Sequence, residues 1–335
     1  MRWFALRRIG SVILAGGVAW SLVGLATGFI RSEPQHPREV LFTYQARLEE
    51  FPPQADTIDV WIPLAKTTDE QRILRREVRA PAPYTIAHDP EYGNDILHLS
   101  LQPPFPQQVA VTVDYHARLL GIDGVSADRA PPPEELPRYL QARGLVIIDE
   151  EVRARAQQAT AGRATVAGRA RGIYDAVIQQ VVYDKAVPGW GRGDTRRVCL
   201  LGAGNCTDFH SLFISMARAQ QIPARFKIGV VIPEQSAGTI PGYHCWAEFY
   251  AEGNGWVPVD ASEAWKHPAL ADYYFGAHDA NRLLISMGRD IQLVPASQHG
   301  PINIFFYPYV EVDGEQFLGV ETEFRFRNLQ QEGVG

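Results

Sequence analysis

Along the first third of the chain, apolar and polar residues alternate with a period of two. LFTYQARL at 41–48, TIDVWIPL at 57–64, the segment around 73–79, DILHLSL at 95–101 and VAVTVDYHARL at 109–119 each read as a strand. The turn-rich breaks FPPQAD, PAPY, EYGND and QPPFPQQ separate them, so the spacing predicts an antiparallel β-domain over 40–122. The proline run APPPEELP, Ala130 to Pro137, ends that regime because proline fixes φ and removes a backbone donor. Beyond it the period lengthens. Ile173, Val177, Ile178 and Val181 recur at helical spacing within 165–182, and Phe209, Leu212, Phe213, Met216 and Ala217 keep it in a helix starting near Cys206. Gln221-Ile222-Pro223 stops that helix. Strand patterns return at 225–232, 243–250 and 255–260. After a mixed region at 262–288 the tail reads DIQLVP, NIFFYPYVEV and FLGVETEFRF, the last two joined by a hairpin turn at Asp313-Gly314.

One apolar run fits neither period. Ile9 to Ile30 carries no charge and is long enough for the about 20 residues that span hydrocarbon as a helix. Arg2, Arg7 and Arg8 precede it, which orients the N-terminus to the cytoplasm and the rest of the chain outward. The expectation is a single N-terminal transmembrane helix in the cell inner membrane with a periplasmic domain. A cleaved signal peptide, cut near Ala26-Thr27-Gly28, is the alternative. RSEPQHPRE at 31–39 suits a tether.

Composition narrows the function classes. The 335 residues carry a net charge of -6 with both signs scattered, so no basic stripe speaks for nucleic acid. Three cysteines, Cys199, Cys206 and Cys245, are too few for a disulfide framework, and their odd number leaves at least one thiol free.

The candidate chemistry starts at LGAGNCTDF, Leu201 to Phe209. A cysteine at a helix N-terminus feels the positive end of the dipole and the unpaired backbone N–H groups, which favour thiolate and can stabilise an oxyanion. His244 and Asp260 lie on two predicted strands joined by AEGNG at 251–255. A hairpin folded there puts the partner of 244 within a residue or two of 260, close enough for the side chains to meet across one sheet face. A carboxylate so placed holds one imidazole nitrogen and leaves the other for the thiol.

GNCTDFHSLFISMARAQQIPARF, GYHCWAEFY and GWVPVDAS together resemble the three motif blocks of the transglutaminase-like superfamily. The resemblance covers about 165–265, and DYYFGAHDANRLLISMGRDIQLVP also looks like its bacterial branch. It implies an α+β fold with a papain-like core, helices packed on an antiparallel sheet. It also implies Cys206 as nucleophile, His244 as base and Asp260 as orienting acid in acyl transfer from a peptide or protein amide to water or to an amine, with no cofactor; a catalytically silent binding or assembly module of the same fold at the cell envelope is the alternative. The whole chain then divides into the anchor (1–30), the tether (31–39), the β-domain (40–122), a linker with a helical connection (123–163), a catalytic domain (164–328) and a tail (329–335). Oligomeric state stays open.

Around the three residues, Trp190 and Asn205 are candidates for oxyanion or substrate contact. The superfamily uses a tryptophan near the oxyanion, although the spacing to Trp190 differs. Asp208 and Trp246 are candidates for bracing the site. Cys206, His210 and His244 could be misread as zinc ligands, but a fourth is missing, and no metal is expected. Calcium-binding loops are not evident. Cys245 is expected on the opposite sheet face, away from the site. Cys199 is either structural or redox-related.

Overall fold

The computed structural model describes residues 37–106, 108–123 and 133–329. The expected membrane span at 9–30, most of the tether and nearly all of the tail lie outside the described residues. Among the described residues no helix is long and apolar enough to cross a membrane.

Three sheets organise the chain. The first orders β11 (Ala237–Ile240), β18 (Val320–Leu329), β1 (Arg38–Leu48), β6 (Val109–Leu119) and β3 (Gln71–Arg79). The second orders β17 (Glu315–Gln316), β16 (Tyr309–Val312), β2 (Ile58–Leu64), β5 (Asp95–Leu101) and β4 (Thr85–His88). Their inward residues, Val40, Phe42, Tyr44 and Ala46 of β1 and Ile58, Val60, Ile62 and Leu64 of β2, share one apolar cluster, so the two sheets form a sandwich. Burial of alternate β1 residues is the period-two pattern of the sequence made physical. The third sheet orders β13 (Gly255–Val259), β12 (His244–Ala251), β10 (Ala224–Val231) and β15 (Arg282–Met287). Two-stranded pairs join β7 (Ile122–Asp123) to β14 (Ala277–His278) and β8 (Val182–Tyr183) to β9 (Ala203–Gly204).

Helices cover the third sheet. The central one, α4 (Cys206–Ala219), packs on β12 and β10, and α1 (Glu150–Thr160), α2 (Val166–Gln180), α3 (Thr195–Leu201) and α5 (Ala261–Lys266) surround it. This mixed α and β architecture, helices on an antiparallel sheet beside β-rich layers, is the one expected.

The segmentation differs. The tail strands β16 to β18, expected with residues 164–328, pair with β1 and β2, and β11 joins the same sandwich. The sandwich is thus closed by strands from both ends of the described chain, which a linear reading of turns and prolines does not reveal. Helix α1 lies inside the segment expected as a connection. The mixed region conceals β15, whose residues Arg282 to Ile285 are all buried, and a strand covered on both faces shows no alternation.

Helix α4 also departs from its expected amphipathic character. Every residue from Cys206 to Arg218 is buried, including those of its polar face. Each polar side chain there has a partner. Ser215 Oγ lies 2.8 Å from Thr195 Oγ1, Ser211 Oγ accepts from Arg289 Nη1 at 2.6 Å, and Arg218 donates to the carbonyls of Ala224 and Gln141. Satisfied in this way, polar groups can line a helix–helix contact at little net cost.

Candidate active site

The site is built at the N-terminus of α4. Gly202, with φ of 60°, ends α3 in the left-handed region, and the chain turns back through β9 to Asn205. Asn205 is the N-cap: its Oδ1 accepts from Thr207 N at 3.0 Å, and Asp208 Oδ2 accepts from Asn205 N at 2.9 Å, completing a capping box. Asp208 also accepts from Gly191 N at 2.7 Å, Gly193 N at 3.1 Å and Arg197 Nη1 at 3.3 Å. It therefore braces the loop carrying Trp190 against the helix start. Cys206 is the first residue of α4, so its N–H has no acceptor within the helix.

His244 and Asp260 meet as the hairpin arithmetic requires. β12 and β13 pair from Ala247↔Val259 to Ala251↔Gly255, and extending that register puts 260 opposite Trp246, diagonal to His244. Asp260 stands just past β13 as the N-cap of α5, accepting from Glu263 N and Ser262 Oγ at 2.9 Å each. Its Oδ2 lies 2.6 Å from His244 Nε2 and also accepts from Arg282 Nη2 at 2.6 Å. Nε2 being engaged by Asp260, the second imidazole nitrogen, Nδ1, is the one left to face Cys206, with which His244 interacts electrostatically.

The electrostatics converge on an ion pair. Burial opposes the charge on His244, but the charge and hydrogen bond of Asp260, together with Cys206, raise it to about 9. Burial likewise opposes a Cys206 thiolate, yet hydrogen bonds from Cys245 and His244 and the charge of His244 hold its pKa well below that of a free thiol. Asp260 is buried as well, and His244 and Arg282 hold it far below the ordinary carboxylate range.

His210, one turn along α4, is differently engaged. Nδ1 donates to Cys206 O at 2.7 Å, and Nε2 accepts from Ala261 N at 3.1 Å, which fixes a neutral tautomer with no lone pair left for a metal. Burial lowers its pKa in agreement with that assignment. Among the described residues no His, Cys, Asp or Glu cluster is arranged to hold an ion.

Cys245 is a correction. The strand alternation holds: His244, Trp246 and Glu248 share one face of β12, while Cys245 and Phe249 face α4, where Phe249 meets Phe213 with ring centroids 6.5 Å apart. That second face is not remote from the site, because α4 brings Cys206 onto it. Cys245 Sγ lies 3.3 Å from Thr207 Oγ1, the residue after Cys206, and interacts with the Cys206 thiol, as does His244, the first residue of the strand. No disulfide joins the three cysteines. Cys199 sits apart, half-buried on α3.

A cleft of about 420 Å³ opens beside His244, lined by Trp190, Asn205, Tyr243, Lys185 and Lys266 among others. A second of about 620 Å³, walled by Ile302, Ile304, Phe306 and Leu318, shares Tyr243 and Tyr307 with it. Trp190 is 40% exposed at the mouth of the first, with Lys185 Nζ 5.5 Å above its ring. Trp246 is buried and stacks on His244 at 6.3 Å. Sequence reasoning missed Arg282, hidden in the unrecognised β15, and Tyr243, although it stands next to His244 in GYHCWAEFY.

Comparison with known proteins agrees with this geometry. Residues 153–261 match the core of the transglutaminase-like superfamily, and the chain carries a transglutaminase-like core domain. An uncharacterized protein of Haemophilus influenzae is 26% identical over 313 residues, covering 80% of this chain and 84% of that one. Among solved structures, a candidate cysteine protease of Cytophaga hutchinsonii superposes with a TM-score of 0.58 at 15% identity, covering 91% of this chain and 94% of its own. That likeness extends the shared fold over nearly the whole described chain. The periplasmic domain of TgpA from Pseudomonas aeruginosa matches with a TM-score of 0.34, 16% identity and 68% and 92% coverage, too distant a superposition to bear on fold or location.

Proposed function

We propose that the protein is a transglutaminase-like cysteine enzyme that acts on peptide or protein amides through a thioester at Cys206. The observation that carries this reading is the buried chain from the Cys206 thiol through His244 to Asp260, with 2.6 Å between the last two. The Cys206 thiolate attacks the amide carbon, a C–S bond forms, and the carbonyl π pair moves onto oxygen. When that pair returns, the C–N bond breaks and the His244 imidazolium gives its proton to the departing nitrogen. Water then attacks the thioester, with His244 accepting its proton, and releases acid and thiol. A second amine taking the place of water makes the net reaction a transfer. Asp260, held by Arg282 and Ser262, keeps the imidazole in the orientation that leaves Nδ1 facing sulfur. Trp190 and Asn205 belong to the substrate side of the cleft in this reading, Asp208 and Trp246 to its support.

The test uses p-nitrophenyl acetate as acyl donor and iodoacetamide as alkylating probe on the purified chain. Cys206→Ala abolishes acylation, and His244→Ala slows alkylation at pH 5 to the rate of a free thiol. Alkylation of native Cys206 no faster than a free thiol would sink the reading. Adding a primary amine to a peptide digest then separates hydrolysis from transfer by product mass.

For location, the reading is a domain held outside the inner membrane by residues 9–30, supported by the basic residues before that span. The intact mass of the mature protein decides between this and a signal peptide: loss of the first residues up to about Gly28 rejects the anchor.

A further inference from the structure

An anionic tetrahedral intermediate needs donors aimed at its oxygen, and removing one typically costs about 10²–10³ in rate. Cys206 N–H, at the start of α4, supplies one. The second donor is less obvious. The Asn205 side chain is already committed, because Oδ1 accepts from Thr207 N at 3.0 Å, which identifies Nδ2 as the group that donates to Tyr243 Oη at 2.9 Å. Thr207 Oγ1 approaches the same phenol oxygen at 3.4 Å, again on the helix side. A hydroxyl has two lone pairs and one proton, so a phenol that accepts from the cap of α4 turns its own O–H the other way.

Apart from the cap, the open volume that Tyr243 lines is the cleft. Tyr243 is half-buried and lines both cavities where they join, and its hydroxyl is within hydrogen-bond reach of Asn205 and Thr207, the residues on either side of Cys206. Its ring is fixed by Phe306 and Tyr307, with centroids 5.6 and 6.1 Å away, so the hydroxyl is held from both ends. Gly191, with φ of 79°, passes beside it. A Cβ there would stand 3.1 Å from Tyr243 Oη and 3.3 Å from Asn205 Nδ2, so the loop leaves this pair uncrowded only as glycine.

We propose that Tyr243 is a further catalytic residue, its Oη–H acting with the Cys206 N–H as the oxyanion-binding pair, and that Asn205 is the positioning residue that orients it. The assignment rests on the Cys206 acyl-transfer reading. It changes the part expected of Asn205, which acts through the phenol rather than on the substrate.

Two reactions of the same thiol separate this role from a structural one. Attack on p-nitrophenyl acetate builds an oxyanion, whereas displacement on iodoacetamide takes place at a saturated carbon and builds none. In Tyr243→Phe, acylation falls about 10²-fold while Cys206 alkylation stays within roughly twofold of native, because only the first reaction uses the donor. Asn205→Ser keeps a capping oxygen but removes the amide donor, and it lowers acylation by about tenfold with alkylation again preserved. Equal loss of both reactions in Tyr243→Phe, or no loss of acylation, would overturn the assignment. Acylation that survives Cys206→Ala would overturn the underlying reading as well, and it is recognised separately because it does not involve Tyr243.

Discussion

Two clusters of buried charge sit on the third sheet, one of them beside the cleft that His244 lines. The first joins Cys206, His244, Asp260 and Arg282. The second joins Lys227 Nζ to Glu70 at 2.6 Å and Glu248 at 2.8 Å, with His278 Nε2 3.0 Å from Glu70 and Arg225 Nε 2.6 Å from Glu248. Trp246 stands between them, its ring 6.3 Å from His244 and 6.2 Å from His278. Both clusters are almost wholly dry. In the second, each charge is matched by a fixed opposite charge, and Glu70 comes from the loop before β3, so the pairs clamp the sandwich to the helical core. In the first, the proposed reaction has the thiol and imidazole share a proton that passes to a substrate in the cleft. Burial and strong pairing are therefore common to both clusters, and the reactivity proposed for the first rests on a transferable proton beside open volume.

The comparison can be broken most forcefully at Asp260. Asp260→Asn leaves the imidazole with the wrong partner and is expected to cut turnover by about 10⁴-fold, about 5.5 kcal/mol in barrier, as read from steady-state rates. A loss below tenfold would mean that the two clusters do not differ in kind. Lys227→Met removes the centre of the sealed cluster and leaves Glu70 facing Glu248. Denaturant unfolding should show a loss of about 3–5 kcal/mol, with the pH dependence of Cys206 alkylation unchanged.

A pH series sharpens the contrast further. His244 is raised to about 9 in the folded protein, against an ordinary value near 6.5. Its contribution to stability is complete below the ordinary value and disappears as pH rises through about 9, and proton donation to the leaving group fails over the same range. In the sealed cluster, burial opposes the Glu70 charge but Lys227 and His278 pull it down to about 2, so its contribution is complete above 4.5 and is lost as pH falls towards 2. Asp260, also depressed, adds an acid-side loss at the site. An alkaline loss of stability near pH 9 that vanishes in His244→Ala, with the acid limb retained, checks this. The smallest effect belongs to Cys245→Ala: without its hydrogen bond to the thiolate, Cys206 alkylation at pH 5 should slow by roughly tenfold, corresponding to about 1.4 kcal/mol.

Legibility in the sequence follows the range of the interactions. The capping of α4 is set by residues within three positions of one another, and the His244–Asp260 meeting by one tight hairpin, so both could be read from spacing. Arg282 and Glu70 could not. Arg282 reaches Asp260 from a strand whose buried residues give no period, and Glu70 reaches Lys227 across 157 positions. Tyr243 was visible as a residue but not as a donor, because its role depends on which atoms of Asn205 and Thr207 face it.

The N-terminus of α4 shows the division most plainly. The sequence by itself determined that Cys206 begins a helix, that Asp208 braces its start, and that a histidine and a carboxylate come together on a hairpin further along the chain. All of these are set by nearest-neighbour geometry along the backbone. Only the tertiary structure decided that Cys245 joins the thiol rather than avoiding it, that the sandwich is closed by strands from both ends of the described chain, and that one buried charge cluster opens on a cleft while the other is sealed. Those outcomes depend on which faces pack together, and packing is settled by surfaces brought from distant parts of the chain.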